Sequence, residues 1–151
     1  MPQQLHTTGE EFERKRIEDY NAQSRGLPAS ADVGLYNDST DQLADADDVG
    51  AITTEPAGAA YSRVSVDFAS MAPEETSDPN WQLTLPDVAF DVSDSDQTVD
   101  SYFLVVTFTS ETAGDSGDNP HLYYTGALKR EENLSDIAGE YVMRDGGLEE
   151  D

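Results

Sequence analysis

The sequence predicts a mainly β protein, an antiparallel β-sandwich or jelly-roll-like barrel that carries one N-terminal α-helical arm. Three observations lead there. Several short segments alternate apolar and polar side chains with the period of two that a half-buried strand requires. One segment, Thr98 to Ser110, is almost continuously apolar and rich in β-branched and aromatic residues, as suits a central strand covered on both faces. Clusters of Gly, Pro, Asn, Asp and Ser punctuate these segments at short intervals.

Residues 1–29 read as the helical arm. Thr8 and Glu11 have the spacing of a capping box, and Phe12, Arg16 and Tyr20, with Ile17, recur at helical spacing before the stop at Gly26-Leu27-Pro28, so a helix is expected over residues 9–24. A helix of that length is marginal alone in water. It must lie on its own domain or, as an arm, on an acidic neighbouring subunit.

Residues 30–144 read as the β domain. Val33-Gly34-Leu35-Tyr36 is a short apolar run closed by the turn cluster Asn37-Asp38-Ser39, and Leu43, Ala46 and Val49 suggest a helical turn within a loop. Residues 61–69 alternate: Ser62, Val64, Val66 and Phe68 are assigned to a buried face, and Tyr61, Arg63, Ser65 and Asp67 to a wet one. Pro73 to Pro79 is expected to be a loop. Trp81, Leu83 and Leu85, then Val88, Phe90 and Val92, mark two more half-buried strands, with Trp81 in the core. After the central segment, Glu111 to Pro120 is a loop by every local signal, His121 to Leu128 returns as a strand, and Tyr141-Val142-Met143 adds a short one. Residues 145–151 are expected to be a frayed acidic tail.

Thirty-two acidic residues face eight basic ones, six Arg and two Lys, for a net charge of −24. Residues 1–29 hold four of the eight cations and only five of the acids, so nearly all the excess lies in the β domain. In dilute salt such a charge opposes compaction, whereas at molar salt the Debye length falls to about 3 Å and the repulsion is screened. Seven Tyr, five Phe and one Trp supply material for a core that disordered acidic tails lack. The chain therefore reads as a folded domain built for brine. Its charge also disfavours phosphate backbones and anionic lipid, so neither nucleic acid nor membrane is an expected partner. The absence of Cys excludes disulfides and thiolate chemistry, and the longest apolar run falls far short of the roughly 20 residues of a membrane-spanning helix.

The candidates for chemistry are few. Asp41, Asp45, Asp47 and Asp48 form the first acidic cluster; Asp94, Asp96 and Asp100, and Asp115 with Asp118 and Asn119, form others. Their hard oxygen ligands would suit Ca²⁺ or Mg²⁺, or K⁺ in brine, but none follows the EF-hand pattern, and in so acidic a chain a hydrated surface explains them as well. No other cofactor is expected. His6 and His121 are the sole imidazoles, and no nucleophile elbow or phosphate-binding loop is present, so a catalytic role is not expected. The interface candidates are Phe12, Arg14, Arg16 and Tyr20 in the arm, with Tyr61, Arg63 and Arg130 in the β domain, because Tyr and Arg are favoured at protein contacts. The opposing reading is that each Arg pairs within its own domain.

Three segments together carry a resemblance: Val33-Gly34-Leu35-Tyr36-Asn37-Asp38 with Thr40-Asp41, then Gly58-Ala59-Ala60-Tyr61-Ser62-Arg63-Val64-Ser65-Val66, then Tyr124-Thr125-Gly126-Ala127-Leu128. Over about residues 33–128 the chain resembles small β-rich virion structural proteins of tailed phages and haloarchaeal tailed viruses. The resemblance implies a capsid decoration or turret protein, or else a tail or baseplate component. It implies a homo-oligomer, a ring or trimer, bound to other virion proteins such as the major capsid protein, made in a high-salt host cytoplasm and located in the virion. From a different class, a halophilic carbohydrate-binding, lectin-like sandwich is the alternative. That reading requires Trp81 or the Tyr123-Tyr124 pair to face solvent.

Overall fold

A computed structural model describes residues 28–44, 47–67, 73–77, 80–108, 120–144 and 147–149. In chain order these form β1 (Pro28–Tyr36), a single helical turn α1 (Asp38–Asp41), a 3-10 turn (Val49–Ala51), β2 (Val64–Val66), β3 (Pro73–Ser77), β4 (Asn80–Thr84), β5 (Val88–Asp91), β6 (Thr98–Phe108), β7 (His121–Asn133), a second 3-10 turn (Leu134–Asp136), β8 (Glu140–Met143) and β9 (Gly147–Glu149). The described part is thus mainly β with very little helix, as the alternation predicts. The arm helix expected over residues 9–24 lies outside the described residues.

Every registered strand pair is antiparallel, in three sheets: β2-β1-β6-β7, β3-β4-β9 and β5-β8. β1 and β6 are the two inner strands of the largest sheet, and the run Tyr102 to Val106 of β6 is buried throughout. Tyr102, Leu104 and Val106 join Ala31, Val33 and Leu35 of β1 in the main core, which also takes in Val88 and Phe90 of β5 and Met143 of β8. Phe103 and Val105 point the other way, into a smaller cluster with Tyr36 and Leu122. Half-buried Leu43, Val49 and Ile52, from the loop after β1, cover that second face. Each fully buried side chain of this size stabilises the fold by about 1.5–3 kcal/mol, so the two-sided burial makes β6 the chief contributor.

The pairing of β7 with β6 is interrupted. Leu104 is registered with Tyr124 and Val105 with Leu122, which leaves Tyr123 as an extra residue on β7. Side chains alternate along a strand, so without that bulge Leu122 and Tyr124 would share a face. With it, Leu122 enters the smaller cluster and Tyr124 the main core.

Several expectations change in detail. Pro73 to Ser77 is a strand, because its backbone pairs with β4 in a hairpin; proline at the first position leaves the later donors of that ladder intact. Within the expected tail, Gly147–Glu149 forms β9 by pairing with the otherwise open edge of β4. Ala46, at the centre of the helical turn expected among Leu43, Ala46 and Val49, lies outside the described residues; on either side stand α1 and the first 3-10 turn, each started by its N-cap, Asn37 and Asp48. Of the strand expected over residues 61–69, Val64–Val66 is regular among the described residues, and residues 68 and 69 lie outside them.

Candidate functional site

Carboxylates tie the loop after β1 to the sheet. Asn37 caps α1 by accepting from the Thr40 N–H, while its own amide donates to the Thr98 carbonyl at 2.9 Å. Asp100 on β6 accepts from the Asp38 N–H at 2.7 Å and from the N–H and hydroxyl of Ser39. Asp41 accepts from the N–H and hydroxyl groups of both Thr53 and Thr54. Burial pushes the carboxyl groups of Asp41 and Asp100 up, but these donors outweigh it and hold both below the usual carboxylate value. Asp47 accepts from the Ala44 N–H, and Asp48 from the N–H groups of Val49 and, on β7, Leu122.

Asp41, Asp47 and Asp48 therefore serve separate sets of donors. Among the described residues no three His, Asp or Glu side chains are placed to hold a metal ion. Asp45, the fourth member of that cluster, lies outside the described residues.

Tyr61 and Arg63 turn inward, which corrects their assignment to a wet face. The cause is Glu55 on the preceding loop: its carboxylate takes Arg63 Nε and Nη2, each at 2.9 Å, and the Tyr61 hydroxyl at 3.2 Å. Tyr61 Oη in turn accepts the Leu35 N–H at 2.9 Å, and its ring stacks on Phe90 with centroids 6.0 Å apart. The Arg63 guanidinium lies 5.0 Å from the centre of the Phe103 ring. Burial pushes the phenols of Tyr61 and Tyr36 well above the ordinary tyrosine value. The Tyr-x-Arg segment is thus an internal staple between the 55–63 loop, β1 and β6.

Arg130 of β7 remains on the surface, its side chain 81% exposed, and pairs with Glu132 at 2.7 Å. Phe12, Arg14, Arg16 and Tyr20 lie outside the described residues. His121 is buried in β7.

A concave site of a different kind lies between the 93–97 turn and the second 3-10 turn. It has a volume of about 420 Å³, and its walls include Gly58, Asp94, Ser95, Gln97, Ser135 and Ile137. Its frame is held by backbone bonds: Leu134 N–H to the Gln97 carbonyl at 3.0 Å, Val92 N–H to Gly139 at 2.8 Å, and Ser95 N–H to Val92 at 3.0 Å. The Ala60 N–H donates to both oxygens of Asp94, at 3.0 and 3.2 Å. Two buried polar atoms, Ser95 Oγ and Gln97 Oε1, have no hydrogen-bond partner. The sequence marks Asp94, Asp96 and Asp100 as one acidic group; the fold puts Asp94 and Asp96 on this groove and commits Asp100 to the α1 backbone. Ser95, Gln97 and Gly58 escape sequence reading, because an S-D-S-D-Q run looks like any polar turn.

No protein-family model, curated protein sequence or solved structure matches the chain. Functional inference therefore rests on the residues themselves.

Proposed function

We propose that this chain is a non-catalytic structural component of a haloarchaeal tailed-virus particle, a capsid-associated decoration or turret protein that assembles through its N-terminal arm and β domain. The observation that carries the reading is how the fold uses its acidic excess. Asp38, Asp41, Asp48, Asp94 and Asp100 do not converge on a reactive centre; Asp38, Asp41 and Asp94 fasten loops and turns to one another, and Asp48 and Asp100 tie loops to β7 and β6. This gives a rigid, strongly anionic β domain of the kind a particle exposed to brine requires. In this reading the β2-β1-β6-β7 sheet and the β5-β8 pair, which share the main core, are facing layers of a sandwich. With Arg63 used internally, exposed Arg130 and the arm residues Phe12, Arg14, Arg16 and Tyr20 are the contacts left for neighbouring copies in a ring or trimer and for the major capsid protein.

Quantitative mass spectrometry on particles whose heads and tails have been separated in molar salt tests the assignment. Many copies in the head fraction are expected. A few copies with the tails would move the protein to the tail or baseplate, and absence from both would overturn the virion reading. Of the two aromatic groups either of which the lectin-like alternative could use, the Tyr123-Tyr124 pair is turned in, with Tyr124 fully buried and Tyr123 half-buried, while the Trp81 side chain lies outside what the structure describes.

A further inference from the structure

Two asparagines stand in the pattern Asn-x-Ser with a residue other than proline between: Asn37-Asp38-Ser39 and Asn133-Leu134-Ser135. That pattern is the acceptor sequence for N-linked sugar, and it gains weight only where the fold leaves the carboxamide within reach. We propose that Asn133 is a glycan attachment site and that Asn37 is not.

The two segments differ in what their polar groups are doing. Asn37 is half-buried, its Nδ2 donates to the Thr98 carbonyl at 2.9 Å, and its Oδ1 accepts the Thr40 N–H at 3.1 Å. The Ser39 hydroxyl is given to Asp100. A sugar on that nitrogen would have to fit into the seam where α1 is fastened to β6. At Asn133 the same groups are open. The residue closes β7, opposite Thr98 at the end of the registered ladder, and it is exposed with extended backbone at φ −89° and ψ 110°. Its Oδ1 accepts the Ser135 N–H at 3.2 Å and the Ser135 hydroxyl at 2.8 Å, while Nδ2 makes no hydrogen bond among the described residues.

The hydroxyl of this acceptor sequence therefore already sits on the carboxamide it would serve, and the nitrogen that would carry the sugar is unengaged. Ser135 and Asp136 are exposed as well. Leu134, between the two acceptor residues, is fully buried, and its N–H donates to the Gln97 carbonyl at 3.0 Å. That anchor fixes the turn and keeps Asn133 and Ser135 at the surface.

The donor is a phosphate-activated sugar, carried on a nucleoside diphosphate or on a lipid phosphate; both offer the same electrophilic anomeric carbon. Nδ2 forms the bond to that carbon, the carbon–oxygen bond to phosphate breaks, and the phosphate leaves with the electron pair. One amide proton passes to a base of the transferase. The Ser135 hydroxyl, donating to Oδ1, makes that proton easier to lose.

The test is mass spectrometry of the full chain captured from the cells that produce it, with fragmentation that keeps a glycan on its residue. Sugar-residue mass increments on Asn133, and none on Asn37, are expected. Asn133→Gln and Ser135→Ala should each abolish the modification, Ser135→Thr should retain it by restoring a hydroxyl, and Arg130→Gln, on the surface of β7, should be modified as the parent is. Unmodified full chain incubated with the cells' cytosol and a labelled nucleotide sugar, or with their membranes and a labelled lipid-linked sugar, distinguishes the donors: label at Asn133 in either arm supports the site and names its source. A bare Asn133 in chain captured from the producing cells overturns the proposal, as does sugar on Asn37, or sugar that survives Ser135→Ala. The inference goes beyond the structural role, and none of these outcomes bears on the head-or-tail measurement, so the two readings fail separately.

Discussion

Phe103 of β6 fills the space that Gly34 of β1 leaves empty: the two are registered partners, and a Cβ on Gly34 would run into the far edge of the Phe103 ring. Tyr102 repeats the arrangement on the opposite face and the opposite neighbour, where a Cβ on its registered partner Gly126 would stand 2.5 Å from the ring and its hydroxyl. Two successive aromatics thus each lie over a glycine, one on each flanking strand, and lock the register of β6 from both sides. Gly34→Ala and Gly126→Ala are each expected to cost about 1–3 kcal/mol, the usual range for overpacking. Thermal melts in molar KCl check this, with a fall of about 2–4 °C for each kcal/mol in a domain of this size. Gly50→Ala, where nothing lies within 4 Å of the new methyl group, is the control and should change little.

Arg63 makes a two-point contact with Glu55 and caps the Phe103 ring, so Arg63→Gln should destabilise the domain itself. The side chains are 32% and 23% exposed, which discounts the pair relative to a buried one, and a loss of about 1–2 kcal/mol is expected. Glu55→Gln should be less than additive with it in a double-mutant cycle, because both remove the same contact. Arg130→Gln should stay within about 0.5 kcal/mol of the parent. Equal effects at Arg63 and Arg130 would show that the staple contributes nothing.

The depressed carboxyls of Asp41 and Asp100 give the fold a defined acid sensitivity. Their folded values lie below the unfolded value of 3.8, so the stability they contribute is present above that value and is lost as pH falls through the folded ones. Acidification also relieves the general repulsion among the acids, which acts in the opposite direction. A comparison with Asp100→Asn separates the two effects. Its deficit relative to the parent, about 1–2 kcal/mol at pH 7, should shrink as pH is lowered from about 5 towards 3. Denaturant unfolding at constant KCl measures that gap, and a deficit independent of pH would mean that the Ser39 and Asp38 donors bind the neutral side chain equally well.

Much of the β framework is legible because periodicity reports burial directly. Val88 and Phe90 are buried while Ala89 and Asp91 are exposed, and Tyr102 to Val106 is covered on both faces, as their patterns predict. The staple is not legible, since alternation places Tyr61 and Arg63 opposite Val64 and Val66 and carries no information about Glu55 on a neighbouring loop. Nor does spacing reveal the Tyr123 bulge, without which Leu122 and Tyr124 would be assigned to one face. The groove is hidden for a related reason: its walls come from segments near residues 57, 95 and 135, which no local pattern joins.

Screening of like charges can be tested at a single pair. Asp91 and Glu140 are registered opposite each other across β5 and β8, and both are exposed. Like charges directly opposite in an antiparallel pair repel, and the Debye length of about 10 Å at 0.1 M salt leaves that repulsion largely intact, whereas about 3 Å at 1 M does not. Asp91 also holds the Ser93 turn through its N–H and hydroxyl, so the pair is best relieved from the other side. Glu140→Gln should raise the melting temperature in dilute KCl, and Glu140→Lys should raise it further by adding an attraction. Both gains should fade as KCl approaches molar concentration, while the parent, with its net charge of −24, becomes more stable over the same range. Circular-dichroism melts across the KCl series read all three curves together. If the parent's curve is flat, the acidic excess is not what ties this fold to salt; if only the variants' gains persist at high salt, Glu140 acts through strand propensity and not through charge.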